Sequence, residues 1–379
     1  MFAPLVYLYG LGAVVLSEIF ILGVPMHELH HRWSQWDSIH YEAVAQSGYI
    51  DRVGAGWLPG YPMLVAFTRV MTHDTQMAGV AVTVASGLVA AWLLGRLVAE
   101  KRFTPLEQRA AVATVLTWPF AFFLYGAVYP MATYLAIALG AFLAVERRRT
   151  AAPVLLAAAA CLVRPEALVL ALSIVVAICL RDGIVTVHDG GGSGRWRRQR
   201  IRFDRSALQA RHGWLVVSVA GLALLAAHAW ATFGSPFAYA QAQAEVSRGG
   251  PPLSLKNLLS LDYVSTMLGQ EREVSSAVVQ TIGLLLLLAV IALTPAVARR
   301  LGGGYAVLSA ATAVFVYVSL PDFVSTPRYL ATVFPVLIII GLWIARRARP
   351  LRVILLACSG SIMVVLHLLY SQSIGFPAW

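Results

Sequence analysis

The chain has 379 residues, of which 59% are hydrophobic and only 12% are charged, and its formal net charge is +11. About a quarter of the residues in a soluble domain are charged, so this composition excludes a soluble globular protein and indicates an all-α polytopic membrane protein. The arginines stand in short loops between apolar segments, which indicates orientation in a membrane rather than binding of nucleic acid. No soluble domain of ordinary size fits between these segments, so residues 1–379 are predicted to form a single membrane domain.

Several kinds of site are excluded by what the sequence lacks. Cys161, Cys179 and Cys358 lie inside apolar segments without metal-ligand spacing, which predicts neither a disulfide framework nor a zinc site. P-loop, GxGxxG, HExxH, CxxC and GxSxG motifs do not occur, which argues against an ATP-driven motor, a dinucleotide enzyme and a zinc protease. The first apolar segment lacks a charged n-region, so it is predicted to be a retained span rather than a signal peptide.

A long polar and aromatic stretch follows the first apolar segment and is predicted to be an extracytoplasmic loop, 27–57. Residues 34–47 within it have helical character, with Gly48 placed as a C-terminal stop. Trp33 and Trp36 flank the start of this helix and suit the headgroup level of a bilayer. The loop is therefore predicted to carry a helix that faces the lipid headgroups.

Asp37, His40 and Tyr41 are the polar side chains of this helix that could carry chemistry. A spacing of three and four residues puts all three on one helical face. Two plainer interpretations stay open here. Asp37 could belong to a capping box that satisfies the backbone N–H groups at the helix start, and His40 could be a structural hydrogen-bonding residue.

Further apolar segments follow along the chain. They cover about 58–71, 76–98, 110–126, 131–145, 151–180, 213–232, 277–298, 304–320, 329–345 and 351–370. The first of these is barely long enough to cross and is predicted to be re-entrant or interfacial. The segment 151–180 would measure about 45 Å as one helix, which is too long for one upright span and too short for two. It is therefore predicted to be a hairpin of two short helices with Arg164 at the apex.

Positive charge fixes the predicted topology. The basic loops are 99–109, 146–150, 181–212, 299–303 and 346–352. If all of them are cytoplasmic, every other connection lies on the far side, including a second extracytoplasmic loop at 233–276. This pattern predicts about 11 transmembrane helices, with the N-terminus inside and the C-terminus outside. The loop 181–212 carries eight Arg and a Gly-rich middle, which predicts a flexible connection.

Three charged residues outside the first loop are candidates for a site. Arg164 stands in an apolar run, where a charge costs about 3 kcal/mol unless it meets water or a partner. A functional role is favoured, and an ion pair with Glu166 is the alternative. Arg328 at a span end could bind an anion or could simply snorkel. Glu245 in the second outer loop could touch substrate or lie on a solvated helix face.

The order of several short motifs resembles a known family. The motifs are Trp36-Asp37-Ser-Ile-His40-Tyr41, Ala45-Gln-Ser-Gly48-Tyr49, Leu58-Pro59-Gly60-Tyr61-Pro62, Trp118-Pro119 to Tyr129, Leu162-Val-Arg164-Pro165, Phe233-Gly234-Ser-Pro236 and Pro327-Arg328-Tyr329 with Phe334-Pro335. Together they resemble the PIG-V type mannosyltransferases, which add the second mannose in GPI-anchor assembly and have bacterial relatives. The resemblance covers most of the chain in order.

The resemblance implies a GT-C-like glycosyltransferase. Such an enzyme moves mannose, with inversion, from polyprenyl-phosphate-mannose to a lipid-linked glycan acceptor on the extracytoplasmic face of the cell membrane. It implies Asp37 as the general base, Arg164 and Arg328 as ligands of the donor phosphate, and His40 as a helper. The expected substrate-binding residues are Trp36, Tyr61, Tyr129, Tyr329 and Glu245. No cofactor or metal is expected, because no cluster of carboxylates is predicted outside.

One departure from the family pattern keeps other functions open. Many relatives have an acidic residue shortly after the tyrosine that corresponds to Tyr129, whereas this chain continues Pro130-Met131-Ala132. A non-catalytic family member is therefore one alternative. A transporter or flippase of a lipid-linked or small substrate is another, although it should place ionisable residues near the bilayer midplane and show repeated halves.

Overall fold

The computed structural model describes residues 2–50, 53–189, 199–246, 274–319 and 325–372. The first half of the chain forms helices at Phe2–Leu22 (α1), Leu29–Arg32 (α2), Ser38–Ser47 (α3), Gly60–Thr72 (α4), Thr75–Ala99 (α5), Pro105–Leu116 (α6), Met131–Glu146 (α7), Ala151–Ala160 (α8) and Ala167–Arg181 (α9). The second half forms helices at Ala220–Phe233 (α10), Ala238–Val246 (α11), Val274–Arg300 (α12), Gly303–Ser319 (α13), Thr326–Leu330 (α14), Phe334–Ala345 (α15) and Arg349–Ser371 (α16). There are also two strands, Val185–Asp189 (β1) and Gln199–Phe203 (β2). Short 3₁₀ helices lie at Met26–Glu28, Val53–Gly56, Pro119–Leu124, Arg205–Ala207 and Ala210–Val219.

Five helical segments are long and apolar enough to cross a membrane. They are Phe2–Leu22, Thr75–Ala99, Ala210–Phe233, Thr281–Arg300 and Arg349–Ser371. Five shorter apolar helices, α7, α8, α9, α13 and α15, have only 10–17 residues each. Apart from one pair of short β-strands, the described chain is therefore the all-α membrane protein that its composition predicts, whereas the count of eleven crossings stays a prediction.

Small residues let the shorter helices pack closely in the interior. Helices α5 and α7, α6 and α15, and α9 and α13 lie along each other. A Cβ atom at Gly341 on α15 would lie only 2.5 Å from the Cα of Ala111 on α6, so the backbones meet directly. Gly126 has a φ of +118°, and a Cβ there would lie 2.1 Å from the ring of Trp33. This contact holds the first loop against the bundle.

The hairpin predicted around Arg164 is confirmed. Helix α8 ends at Ala160 and α9 begins at Ala167, with Arg164 in the turn between them. The N–H of Gly60 at the start of α4 donates to the carbonyl of Leu162 in this turn, at 2.7 Å. A Cβ at Gly60 would collide with that carbonyl, so the glycine allows α4 to dock on the hairpin.

The basic loops meet at one end of the bundle, called the basic end below. Lys101 donates to the Glu146 carboxylate and to the carbonyl of Leu301, the latter at 3.2 Å. Arg181 donates to the carbonyl of Arg149 at 2.7 Å. These bonds join the loops after α5, α7, α9 and α12. The loops that the positive-inside rule assigns to one side of the membrane thus lie together in space.

The loop between α9 and α10 contains regular structure. Strands β1 and β2 pair antiparallel, with Val187 opposite Ile201. Asp182 accepts hydrogen bonds from Arg181 at 2.8 Å and from His212 at 2.9 Å, and these bonds hold the pKa of its carboxyl well below the usual range. The prediction of a flexible connection is therefore wrong for both ends of this loop, and its Gly-rich middle lies outside the described residues.

Candidate active site

The first functional side chain to be placed is Asp37, immediately before α3. The helix begins at Ser38, and the Asp37 side chain makes no capping hydrogen bond although it stands at the N-cap position. Its Oδ2 atom instead lies 2.7 Å from Nη1 of Arg328, a residue 291 positions away in the chain. The interpretation of Asp37 as a helix cap is therefore wrong, because its carboxylate is used in a tertiary ion pair.

Ser34, the other member of the expected capping box, is also used elsewhere. Its hydroxyl donates to the carboxylate of Glu42, one turn into α3. Burial raises the pKa of Glu42, and the bond from Ser34 offsets part of this effect. At the far end of α3, Gly48 adopts a φ of +72° and donates its N–H to Val44, so the predicted stop is confirmed.

Arg328 is held by the short helix α14, which Pro327 starts by fixing its backbone. Its guanidinium lies 5.3 Å from the ring centroid of Tyr129 and 5.7 Å from that of Tyr329. Only 11% of the Arg328 side chain is exposed, against 30% for Asp37. Burial opposes the charge of Arg328, but the Asp37 carboxylate and the neighbouring tyrosines together outweigh it and raise the pKa of the guanidinium above its usual value.

Arg164 joins the same cluster from the α8–α9 turn. Its guanidinium lies 4.7 Å from the ring centroid of Tyr329, so one tyrosine ring contacts both candidate phosphate ligands. Arg164 also forms an ion pair with Glu166, which is fully buried. The ion pair with Glu166, predicted from the sequence as the alternative role of Arg164, is therefore observed. This pair holds Arg164 beside Tyr329. Asp37, Arg164, Arg328 and Tyr329 are called the site cluster below.

Two buried tyrosines, Tyr129 and Tyr370, hold the segment that carries Asp37. The N–H of Asp37 donates to the hydroxyl of Tyr129 at 3.1 Å. The hydroxyl of Tyr370, near the end of α16, donates to the carbonyl of Trp33 at 2.9 Å and accepts the N–H of Gln35 at 3.2 Å. Ser38 also contacts the Tyr370 hydroxyl, at 3.3 Å. These bonds set the position of the Asp37 backbone.

Removal of the Tyr370 hydroxyl should therefore disturb Asp37 without touching a charged group. If Asp37 is the general base that the family resemblance implies, Tyr370→Phe should lower turnover about tenfold with little change in donor KM, since a shift of about 1 Å at a reacting group can cost more than that. Tyr7→Phe is the control, because Tyr7 is equally buried and its hydroxyl donates to the carbonyls of Leu124 and Val84, which do not belong to the first loop. Both variants should lose similar stability, about 1 kcal/mol. Equal turnover in the two variants would show that Tyr370 is only structural.

His40 has an aromatic contact in the structure. Its ring stacks on that of Trp57, with centroids 3.9 Å apart. The backbone N–H of His40 donates to the carbonyl of Asp37 at 3.1 Å, but within the described part of the chain no hydrogen bond joins the imidazole of His40 to the side chain of Asp37 or Arg328. Its role as a helper at the phosphate stays a prediction. Trp57 contacts the site region through this stack and was not indicated by any motif.

The predicted substrate-binding tyrosines differ in exposure. Tyr61 is fully buried, and its hydroxyl contacts Thr83 at 3.0 Å, so it supports its neighbours and does not line an open pocket. Tyr129 is also buried, and its hydroxyl accepts the N–H of Asp37. Tyr41 on α3 is half-buried and packs edge-on against Tyr61, at 5.3 Å between centroids. Tyr329 is half-buried as well and is therefore more accessible than Tyr61.

Trp36 and Arg328 line a small aromatic cavity. Trp36 has a φ of +52° and packs edge-on against Tyr370, at 4.8 Å between centroids. Phe120 and Phe123 complete the walls of this space of about 10 Å³, which is room for one water molecule at most. This cavity therefore has no room for a sugar, whereas the Asp37 carboxylate beside Arg328 is partly exposed.

A second buried pair links α1 to α16 near the site cluster. Nε2 of His367 lies 3.4 Å from Oε1 of Glu18, and both side chains are fully buried. The ring of Trp33 packs edge-on against His367, with centroids 5.3 Å apart. Both residues stand four positions before the end of their helices, so the pair lies toward the site cluster and away from the helix centres. Glu245 lies in α11, and its side chain is outside the described part.

Comparisons of the chain with protein-family models, with curated proteins and with solved structures gave no match. The resemblance to the PIG-V type mannosyltransferases therefore stays a prediction. The site rests on its own geometry: a half-exposed carboxylate, two guanidinium groups around one tyrosine ring, and a buried frame that holds them.

Proposed function

We propose that the chain is a membrane glycosyltransferase that moves mannose from polyprenyl-phosphate-mannose to a lipid-linked glycan acceptor. The observation that carries this proposal is the contact between Asp37 and Arg328 beside Arg164. A candidate base and two candidate phosphate ligands, distant in sequence, converge at one place. The basic loops gather at the other end of the same helices. The positive-inside rule assigns the basic end to the cytoplasm, so the proposed site faces the extracytoplasmic side.

The proposed reaction makes specific demands on these groups. The acceptor oxygen attacks the anomeric carbon of the donor while its proton passes to the Asp37 carboxylate. The bond between that carbon and the phosphate oxygen breaks, and polyprenyl phosphate leaves with one more negative charge than it had in the donor. Arg328 and Arg164 would neutralise this developing charge, and their partial burial strengthens the interaction. Attack from the opposite face inverts a β-linked donor to an α-linked product.

The donor phosphate competes with Asp37 for Arg328. The site cluster with Glu166 holds two carboxylates and two guanidiniums, so it is neutral before substrate arrives. A phosphate that binds Arg328 would release the Asp37 carboxylate from its ion pair at the moment when a base is needed. When Arg328 exchanges its ion-pair partner from Asp37 to the donor phosphate, donor binding frees Asp37 to act as the base.

The finer architecture belongs to the same proposal. A GT-C-like bundle of eleven crossings would use the five long segments together with α7, α8, α9, α13, α15 and the α6–Pro119–Leu124 unit. The short α8 and α9 would each reach the site cluster from the basic end, which fits their position around Arg164.

The direct test uses the purified full-length protein in lipid nanodiscs with radiolabelled polyprenyl-phosphate-mannose and a lipid extract as the acceptor source. We expect label to move into a more polar lipid, and we expect GDP-mannose to be inert as a donor. Transfer from GDP-mannose, or no transfer from any polyprenyl-phosphate sugar, would overturn the proposal.

A transporter is distinguished by accessibility. Ala43 is exposed on α3 at the site side, and Arg102 is exposed at the basic end. In a cysteine-free background, Ala43→Cys should react with an impermeant thiol reagent only from outside, and Arg102→Cys only from inside. Added substrate should not change this pattern in a transferase. Reaction of the Ala43→Cys variant from both sides would favour alternating access.

A further inference from the structure

An apolar groove lies between α12 and α15 at the basic end, far from the site cluster. Leu293 and Ala296 on α12 and Ile340 and Trp343 on α15 line it, and its volume is about 500 Å³. That volume is in the range of small-molecule and lipid sites in proteins. Trp343 is half exposed, which suits the boundary between acyl chains and headgroups.

Two arginines stand at one end of this groove. Arg300 is the last residue of α12 and Arg346 directly follows α15, and both are exposed. The Glu107 carboxylate lies 3.8 Å from Arg346 but also bonds Thr104 in a capping box. One carboxylate cannot neutralise two guanidiniums, so a net positive charge remains where the apolar groove meets water.

The groove is separate from the proposed donor site. Helix α15 runs from Phe334, close to the helix of Arg328, to Ala345 at the basic end. Its 12 residues span about 18 Å, so the two arginines of the groove lie in the opposite half of the bundle from Arg328. A ligand held there belongs to the other leaflet.

We propose that this groove binds an anionic phospholipid, with an acyl chain along α12 and α15 and the phosphate between Arg300 and Arg346. An apolar channel alone would accept any lipid tail, and exposed arginines alone would attract any anion. Only a ligand that joins an acyl chain to a phosphate uses both features. Helix α12 also packs against α14, which carries Arg328, so the lipid would brace the helices that support the site cluster.

Native mass spectrometry of the full-length protein tests this proposal, with phosphatidylglycerol and phosphatidylcholine as probes. We expect wild-type protein to retain phosphatidylglycerol in preference to phosphatidylcholine. The Arg300→Gln/Arg346→Gln variant should bind phosphatidylglycerol about 30-fold more weakly, at the contribution typical of two arginines near a membrane surface. Thermal stabilisation by added phosphatidylglycerol should fall in parallel.

The matched control removes two charges from the same loops without touching the groove. Arg299 and Arg349 are exposed neighbours that do not line it, so Arg299→Gln/Arg349→Gln should bind nearly as wild type. Ala296→Phe, which fills the groove, should weaken binding of both lipids. Equal loss in the control, no preference for the anionic lipid, equal protection by glycerol 3-phosphate alone, or a protein dimer in place of bound lipid would each overturn the proposal.

Discussion

The Asp37→Asn variant is expected to transfer mannose at least about 100-fold more slowly than wild type, because general base catalysis contributes rate factors of this size or larger. The amide keeps the shape of the side chain and can still meet Arg328, but it cannot accept the acceptor proton. Initial rates in nanodiscs at saturating donor measure the effect. Asp37→Glu, which moves the carboxylate by one methylene, should retain a measurable part of the activity.

Loss of the ion pair must be separated from loss of the base. Asp37→Asn leaves Arg328 largely buried beside a neutral partner, which should cost about 1–3 kcal/mol after allowance for the 30% exposure of Asp37. The Asp37→Asn/Arg328→Gln variant removes both charges and should regain thermal stability while remaining inactive. Asp74→Asn is the matched control, since Asp74 caps α5 through Met77 and asparagine caps equally well. Near-normal turnover by a folded Asp37→Asn protein would remove Asp37 from the chemistry.

The second large effect is expected at Arg328. We expect Arg328→Ala to lower kcat/KM for the donor about 100-fold, because a charge that stabilises the leaving phosphate is lost in a poorly hydrated site. Arg328→Lys keeps the charge but loses the planar fork and the stacking on Tyr129 and Tyr329, so an intermediate loss of about tenfold is expected. Donor titrations at fixed acceptor give both values.

The control for this experiment is Arg32→Ala, an exposed arginine in the first loop that the site cluster does not include. It should leave donor dependence unchanged. A donor dependence in Arg328→Ala equal to that of wild type would show that Arg328 only anchors Asp37. A fall in acceptor use with normal donor use would assign the guanidinium to the acceptor side of the site.

Much of the helical framework could be predicted because it depends on local patterns. The run 151–180 was too long for one span and carried Arg164 at its centre, and the structure divides it into α8 and α9 there. Gly48 ends α3 as its position predicted, since glycine adopts a positive φ at the least steric cost. The shared position of the basic loops also followed from charge alone.

The frame of the site could not be predicted in the same way. Tyr370 holds the Asp37 segment from the last helix, and Glu166 holds Arg164 beside Tyr329. A tyrosine near the end of an apolar helix usually marks the membrane interface, so nothing in its own neighbourhood distinguishes a buried hydrogen-bond donor. Tyr61 shows the opposite case, because a motif that suggested a sugar contact encodes a core residue bonded to Thr83.

The stretch around Asp37 shows which features follow from the sequence and which depend on the tertiary structure. By itself the sequence determined that the chain is a helical membrane protein, that its basic loops share one end, and that a polar helix follows the first span, since hydrophobicity and charge act over a few residues. Only the tertiary structure decided what Asp37 does. One carboxylate can satisfy either the N–H groups of α3 or a distant guanidinium, and the free-energy difference between these partners depends on whether Arg328 is brought within 2.7 Å by the packing of the last helices.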